Sequence, residues 1–170
     1  MSTSVAPSCS VPDGGPRIHG FDYRGRHQYS LTICVYNRRP LFVEAPIVDR
    51  VMQQIRRAAT VGDFEILAYC FMPDHLHLIA EGTSDDADLR KFMKSWKQAT
   101  GFEYSKSHAG KRLWQVGFFD HVIRSDESVH RHARYVLGNP VRAGLVRSID
   151  EYPFAGPHGI WPDTESDQGT

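Results

Sequence analysis

Two strand-like segments joined by a tight turn constrain the fold of this chain more than any other feature. Residues 64–71, FEILAYCF, and residues 75–81, HLHLIAE, are apolar enough to lie in a sheet, and Met72-Pro73-Asp74 separates them. Proline fixes φ and removes a backbone donor, which favours a turn at this point. The segment 64–81 therefore predicts a β-hairpin, and with it an antiparallel sheet.

The other periodicities add strands and helices around this hairpin. Strict alternation over residues 28–36 predicts a strand, and a weaker pattern over 113–124 predicts another. Helical spacing predicts helices over 44–60 and 85–105, and a last helix that Ser125 caps and that runs to about Asn139. The order matches a ferredoxin-like βαββαβ arrangement, an α+β fold with an antiparallel sheet, plus an additional C-terminal helix. Both main helices would cover one face and leave the other open to a site or partner.

Length and composition indicate one domain with loosely organised ends. A chain of 170 residues is long enough to bury one core. We interpret residues 1–17, rich in Ser, Pro and Gly, as a disordered or draped arm, 18–156 as the folded domain, and 157–170 as a flexible tail. The first residues do not have the pattern of a secretory signal, and no apolar run is long enough to cross a membrane. The three cysteines have no CxxC spacing, which is typical of a reducing cytoplasm.

A pair of histidines interrupts the third predicted strand. His75 and His77 are two residues apart, so their side chains point to the same side of a strand, whereas Leu76 and Leu78 point into the core. Two neighbouring imidazoles can share one cation, and histidine is a common metal ligand. The pattern therefore indicates a metal site, with two surface histidines on an open sheet face as the alternative.

The last predicted helix carries a tyrosine among basic residues. Tyr135 and Asn139 are four apart and share a helical face. Positive charge from Arg131 and Arg134 favours the phenolate, which is the stronger nucleophile. The alternative is an amphipathic tyrosine, half-buried at the edge of the fold.

Three segments together resemble a known family. The segments YCFMPDHLHLIAEG, LWQVGFFDHVIR and YVLGNPVRAGLV, in this order and at these separations, resemble the REP-associated tyrosine transposases. These are IS200-like, single-tyrosine HUH transposases, where HUH means His-hydrophobic-His. The resemblance covers about residues 20–156, and no position of the central motifs is lost.

The resemblance implies a DNA-cutting enzyme with named site residues. Tyr135 would be the nucleophile, and His75 and His77 the metal ligands, with Asn139 as a third ligand. The implied cofactor is Mg²⁺ or Mn²⁺, although Zn²⁺ or Cu²⁺ would compete for histidines by affinity. The implied substrate is single-stranded DNA folded into a REP-like hairpin, cut through a 5′-phosphotyrosine.

Local rather than total charge would serve DNA binding, because 20 basic and 20 acidic residues cancel. Phosphate contacts are predicted for a set of basic residues: Arg90, Lys94, Lys97, Lys111, Arg112 and Arg142. For the lysines the alternative is a solvated helix face. Trp114, Phe118 and Phe119 are interpreted mainly as core residues, and His121 as structural.

Two other functions remain open at the level of sequence. A catalytically silent DNA-binding protein could use the same fold and basic surface without needing Tyr135. An unrelated HxH metal hydrolase would need further ligands, such as HxHxD, but position 79 is Ile. The extensions at both ends slightly favour a monomer over a homodimer, acting in the bacterial cytosol at the nucleoid.

Overall fold

One antiparallel sheet organises the protein. A computed structural model describes residues 20–159, so the arm predicted over 1–17 and the tail from residue 160 onward lie outside the described residues. The strands are β1 (Gln28–Cys34), β2 (Phe64–Met72), β3 (His75–Gly82), β4 (Phe119–Ile123) and β5 (Ala155–Gly156). They pair in the order β4-β1-β3-β2-β5, and every pairing is antiparallel. The predicted α+β class and the predicted hairpin are both confirmed.

Four α-helices accompany the sheet in the described part of the chain. They are α1 (Ala45–Val61), α2 (Leu89–Ser107), α3 (Val129–Leu137) and the single turn α4 (Asn139–Arg142). The order βαββαβ with strands 4-1-3-2 is the predicted ferredoxin-like arrangement. None of the helices between residues 20 and 159 combines the length and the apolar character needed to cross a membrane.

The main core lies between the sheet and the pair α1 and α2. Leu31, Ile33, Leu76 and Leu78 are completely buried there, as the alternation along β1 and β3 predicts. Their burial fixes the register, because a slip of one residue would turn every one of these side chains to the other face. The same register therefore fixes the face on which His75 and His77 lie.

The other sheet face is not open, contrary to the sequence-based expectation. Ala68 and Ile79 are fully buried on it, packed in one cluster with Ala133 and Val136 of α3. The amphipathic pattern of α3 gives it an apolar side, and the polar side remains in solvent. His75 and His77, which lie on this face, are not part of that apolar cluster.

Several element boundaries differ from those predicted. Helix α2 begins at Leu89 rather than at residue 85, because the Asp88 side chain caps it. The fourth strand begins at Phe119 rather than at 113, because Gly117 takes a φ of 79° and breaks the extended run. Ser128, not Ser125, caps α3, since the Ser128 hydroxyl accepts from the backbone N–H of Arg131. Residues 110–118 form a loop beside α2, and this loop shapes the cleft described below.

Candidate functional site

The two histidines of β3 converge on one point. Their Nε2 atoms are 3.0 Å apart, and their ring centroids are 4.7 Å apart. The period of two along β3 places both side chains on the face that carries α3. Two ring nitrogens that converge in this way can supply two ligands to one metal ion.

The outer ring nitrogen of each histidine is held by a polar side chain. The Nδ1 atom of His75 lies 2.6 Å from Oδ1 of Asp74, and Nδ1 of His77 lies 3.0 Å from the hydroxyl of Thr32. Asp74 is fixed in turn by Arg38, whose Nε is 2.9 Å from Oδ2. The five side chains form a continuous hydrogen-bonded row that sets the orientation of both imidazoles.

This donor set fits a divalent ion. Metal-bound histidines usually use their second nitrogen to bond a carboxylate or another polar group, which fixes the tautomer. Asp74 and Thr32 occupy those second positions, so the Nε2 atoms of His75 and His77 are the ones left to face an ion. The sequence predicted the pair but not Thr32 or Arg38.

Electrostatics keep His77 uncharged and Asp74 charged. Burial, followed by the positive charges of His75, Arg142 and Arg38, lowers the pKa of His77 to about 3. Burial would raise the pKa of Asp74, but hydrogen bonding and charge from His75, together with Arg38, outweigh it and lower that pKa. Neutral imidazole is the form that binds metals.

Acidification is expected to destabilise the folded protein through His77. The unfolded chain takes up a proton near pH 6.5, whereas the folded state resists it until about pH 3. Between these values the unfolded state binds more protons, so stability falls as the pH falls, by up to about 1.4 kcal/mol per pH unit.

Urea unfolding in EDTA between about pH 6.5 and pH 5.5 measures this slope above most of the range in which ordinary carboxylates, with pKa values of about 4, titrate. The substitution His77→Gln removes the titrating ring and is expected to flatten the dependence. Equal slopes for the two proteins would mean that His77 is not protected from protonation.

Helix α3 presents a tyrosine to solvent on the same side of the sheet. Ala133, Val136 and Leu137 are buried and dock α3, whereas Tyr135 is 63% exposed. This position excludes the half-buried alternative for Tyr135. An exposed phenol can reach a large substrate without moving the helix, but no hydrogen bond joins it to His75 or His77 in this structure.

Arg142 ties the tyrosine to Asn139. Its guanidinium lies 3.9 Å from the centroid of the Tyr135 ring and donates to the backbone carbonyl of Tyr135. It also donates to Oδ1 of Asn139 over 2.6 Å, while Nδ2 of Asn139 is buried without a hydrogen-bond partner. The amide oxygen predicted as a third metal ligand therefore already accepts a hydrogen bond. The guanidinium of Arg142 already contacts residues of α3 and α4.

The basic residues predicted to contact DNA gather elsewhere. A cleft of about 780 Å³ lies between α2 and the 110–118 loop. Five of the six predicted residues line it: Arg90, Lys94, Lys97, Lys111 and Arg112. Because α2 packs on the sheet face opposite to the histidine pair, the cleft and the pair are separate features. Arg142 does not line the cleft, and its charge acts on His77 of the pair instead.

One lysine of this basic cleft has a structural contact as well. The amino group of Lys97 donates to the carbonyl oxygens of Gln115 and Gly117 over 3.3 and 2.5 Å. Burial lowers the pKa of Lys97 to about 8. Lys94 and Lys111 are exposed, so they are the better placed to meet a phosphate. Trp114 is buried, as interpreted from the sequence.

Comparison with known proteins gives concordant matches. Residues 24–139 match the family model described as "Transposase IS200 like". A REP-associated tyrosine transposase of Escherichia coli (strain K12) is 30% identical over 139 residues, covering 78% of this chain and 80% of the relative. A Haemophilus influenzae relative is 28% identical over 142 residues, covering 76% of this chain and 79% of its own.

A solved structure has the same fold. It is that of a REP-associated tyrosine transposase bound to a REP hairpin, and it aligns with a TM-score of 0.69 at 23% identity. The alignment covers 83% of this chain and 82% of that one. The described sheet and helices are therefore an arrangement that another protein also adopts.

Proposed function

The chain belongs to the IS200-like transposase family, and we propose that it cuts and rejoins single-stranded DNA beside a hairpin through a covalent tyrosine intermediate. Family membership makes it a DNA-processing protein of the transposase type. The hairpin is proposed because the structural relative was solved bound to one. We assign the activity to the domain over residues 18–156.

One observation carries the proposal: an exposed tyrosine and a converged histidine pair occupy the same side of the sheet. Tyr135 is 63% exposed, and the Nε2 atoms of His75 and His77 are 3.0 Å apart. A nucleophile that acts on DNA must be accessible, and the charge on a phosphate must be neutralised close to it. The exposure of Tyr135 and the convergence of the histidine pair on the face that carries α3 support both roles.

The proposed chemistry is an exchange of phosphodiester bonds. The phenolic oxygen of Tyr135 attacks the scissile phosphorus, an O–P bond forms, and the bond from phosphorus to the 3′-oxygen breaks. The phenolic proton passes to solvent, and the departing 3′-oxygen takes up one proton from solvent to become a hydroxyl. The 5′-phosphate remains esterified to Tyr135, so a later 3′-hydroxyl can reverse the reaction without ATP. The Arg142 guanidinium, 3.9 Å from the ring centroid, holds the Tyr135 ring through a cation–π contact.

His75 and His77 would hold a divalent ion, with Asn139 as the proposed third ligand. When bound, such an ion supplies positive charge that polarises a phosphate oxygen. Asn139 offers an amide oxygen with two lone pairs, one of which already accepts from Arg142. Mg²⁺ or Mn²⁺ suits phosphoryl transfer, and the neutral imidazole of His77 is ready to coordinate at ordinary pH.

A catalytically silent hairpin-binding protein is the second candidate. The contact between Arg142 and Asn139 favours it, because the positive charge of the guanidinium on Oδ1 opposes a metal ion at the same oxygen. Hairpin DNA with a label at its 3′ end distinguishes the two candidates. With Mn²⁺ or Mg²⁺, the proposed enzyme is expected to give a labelled adduct that survives denaturation, whereas a silent protein only retards the DNA. Absence of an adduct on hairpins that bind tightly would overturn the enzymatic proposal.

The basic cleft is proposed to hold the DNA backbone. Replacing Lys94 and Lys111 together by Ala is expected to weaken hairpin binding and reduce the slope of log K against log salt by about 1.4, at about 0.7 for each lost contact with single-stranded phosphates. Both side chains are exposed in the cleft lining. Titrations by fluorescence anisotropy at several salt concentrations measure the slope.

Lys91→Ala serves as the matched control, since Lys91 is an exposed residue of α2 outside the cleft lining. It is expected to bind like wild type. An equal loss in Lys91→Ala and the double variant would mean that the cleft is not the binding surface.

We further propose a monomer working in the bacterial cytosol, at the nucleoid. Helix α3 packs on β2 and β3 of its own chain, so Tyr135 needs no second copy to bring it to this face of the sheet.

A further inference from the structure

Three metal-binding side chains meet outside the histidine pair already described. They are His121 of β4, Glu127 of the loop after β4, and His132 of α3, and their ligand atoms all lie within 4.8 Å of one another. Nε2 of His121 is 3.1 and 2.9 Å from the two carboxylate oxygens of Glu127. Nε2 of His132 is 4.0 Å from Oε1 of the same carboxylate.

The fold holds this cluster in place from three sides. His121 lies opposite Ser30 of β1, a position that points to the α3 side of the sheet. The backbone N–H of Arg124 donates to Oε2 of Glu127 over 2.8 Å, which fixes the carboxylate against its own turn. Ser128, next to Glu127, caps α3, and His132 lies in the first turn of that helix. The cluster therefore joins the edge strand to the helix that carries Tyr135.

A simple ion pair does not account for all three residues. His121 and Glu127 satisfy each other, yet His132 also points at the carboxylate from a distance too long for a hydrogen bond. Ligand atoms around a tetrahedral ion with bonds of about 2.0–2.1 Å are separated by about 3.3 Å. Measured to the same oxygen, Oε1 of Glu127, the Nε2 atoms of His121 and His132 are 3.1 and 4.0 Å away, on either side of that value.

We propose that His121, Glu127 and His132 bind one Zn²⁺ ion, which clamps α3 onto β4. Two imidazoles and one carboxylate are an established zinc donor set that leaves a fourth position for water. His121 is 51% exposed, so the ion has a path from solvent. His132 precedes Tyr135 by three residues, and the clamp would therefore act within one turn of that tyrosine. This site is independent of the proposed DNA chemistry.

The site also revises the interpretation of His121 as a structural residue. Its ring is half exposed and stacks on His132, with centroids 5.4 Å apart and planes at 27°. A ring in this position contributes little to the core. Its contacts with Glu127 and His132 instead suit the proposed role of a metal ligand.

Zinc titration by calorimetry tests the proposal. The full chain with His75→Ala and His77→Ala lacks the other histidine pair, and after EDTA treatment and dialysis it is expected to bind one equivalent of Zn²⁺. Adding His132→Ala is expected to weaken that binding by at least about 100-fold, since loss of even an outer partner of a ligand costs about 10- to 100-fold. Adding His108→Ala, a histidine packed on Tyr104, serves as the control and should leave it unchanged.

A second measurement on wild-type protein removes any dependence on the folding of variants. Nitrogen-15 NMR of the histidine rings is expected to show Nε2 shifts for His121 and His132 as Zn²⁺ is added, and hydrogen exchange of α3 should slow by at least about tenfold. The proposal is overturned if these two rings do not respond to Zn²⁺, or if one equivalent still binds tightly after His132→Ala.

Discussion

Tyr135→Phe is expected to abolish covalent attachment to hairpin DNA and to reduce cleavage by at least about 10⁴-fold, the scale on which removal of a nucleophile acts in other enzymes. The substitution removes one exposed oxygen and keeps the ring. Arg142 can therefore stay over an aromatic face. Because Tyr135 is 63% exposed, the free energy of unfolding should change by less than about 0.5 kcal/mol.

The measurement is single-turnover cleavage of a labelled hairpin, with binding followed in parallel. Hairpin affinity is expected to remain within a factor of about two, because the phosphate contacts come from other residues. Tyr36→Phe is the control, since it also removes a single phenolic oxygen from a ring under a guanidinium, that of Arg112. Cleavage retained by Tyr135→Phe but lost in Tyr36→Phe would assign the nucleophile elsewhere.

His77→Ala is expected to remove metal-dependent cleavage, lowering the rate by about 10³-fold, similar to the loss of one group that stabilises transition-state charge. The variant lacks one of the two converging Nε2 atoms. It also leaves the Thr32 hydroxyl without its imidazole partner, which costs about 1–3 kcal/mol of stability. Assays are therefore made well below the melting temperature, with hairpin binding as the check on folding.

Thr32→Val gives a graded companion to that variant. It keeps the shape of the side chain but removes the group that holds Nδ1 of His77. Metal affinity is expected to fall by about 10- to 100-fold, so high Mn²⁺ should rescue Thr32→Val but not His77→Ala. Rescue of both variants would mean that His77 is not a ligand.

The pattern of alternation made the sheet and the histidine face predictable. A period of two in β3 forces His75 and His77 to one side, and burial of Leu76 and Leu78 confirms which side that is. The order of elements predicted the ferredoxin-like topology for the same reason, since each element carries its own periodicity. Alternation and helical spacing are local signals, so one sequence is enough to detect them.

The polar contacts around the histidines were not predictable in that way. Thr32 reaches His77 only because β1 pairs with β3 in one register. Arg38 reaches Asp74 from a backbone in the left-handed region, with φ of 53°, which favours glycine and which no sequence pattern announces for arginine. Both contacts depend on distant parts of the chain, and helical spacing or alternation carries no information about them.

The basic cleft illustrates the same boundary between local and distant information. Spacing along α2 placed Arg90, Lys94 and Lys97 on one helical face. Only the fold brings the 110–118 loop close enough for Lys97 to donate hydrogen bonds to its backbone carbonyls. Likewise the sequence predicted Arg142 as a DNA contact but not the contacts that its guanidinium makes with Tyr135 and Asn139. Charged residues can be counted from the sequence, whereas the groups that each charged side chain contacts cannot be predicted from it.

The residue that carries the DNA after cleavage tests the proposed chemistry most directly. Wild-type protein is incubated with a hairpin oligonucleotide and Mn²⁺, denatured, digested with trypsin and nuclease, and analysed by mass spectrometry. The tryptic peptide YVLGNPVR, residues 135–142, contains a single tyrosine. A 5′-phosphorylated nucleotide on Tyr135 is the expected result. Attachment at any other residue, or cutting of the DNA with no attachment, would contradict the mechanism.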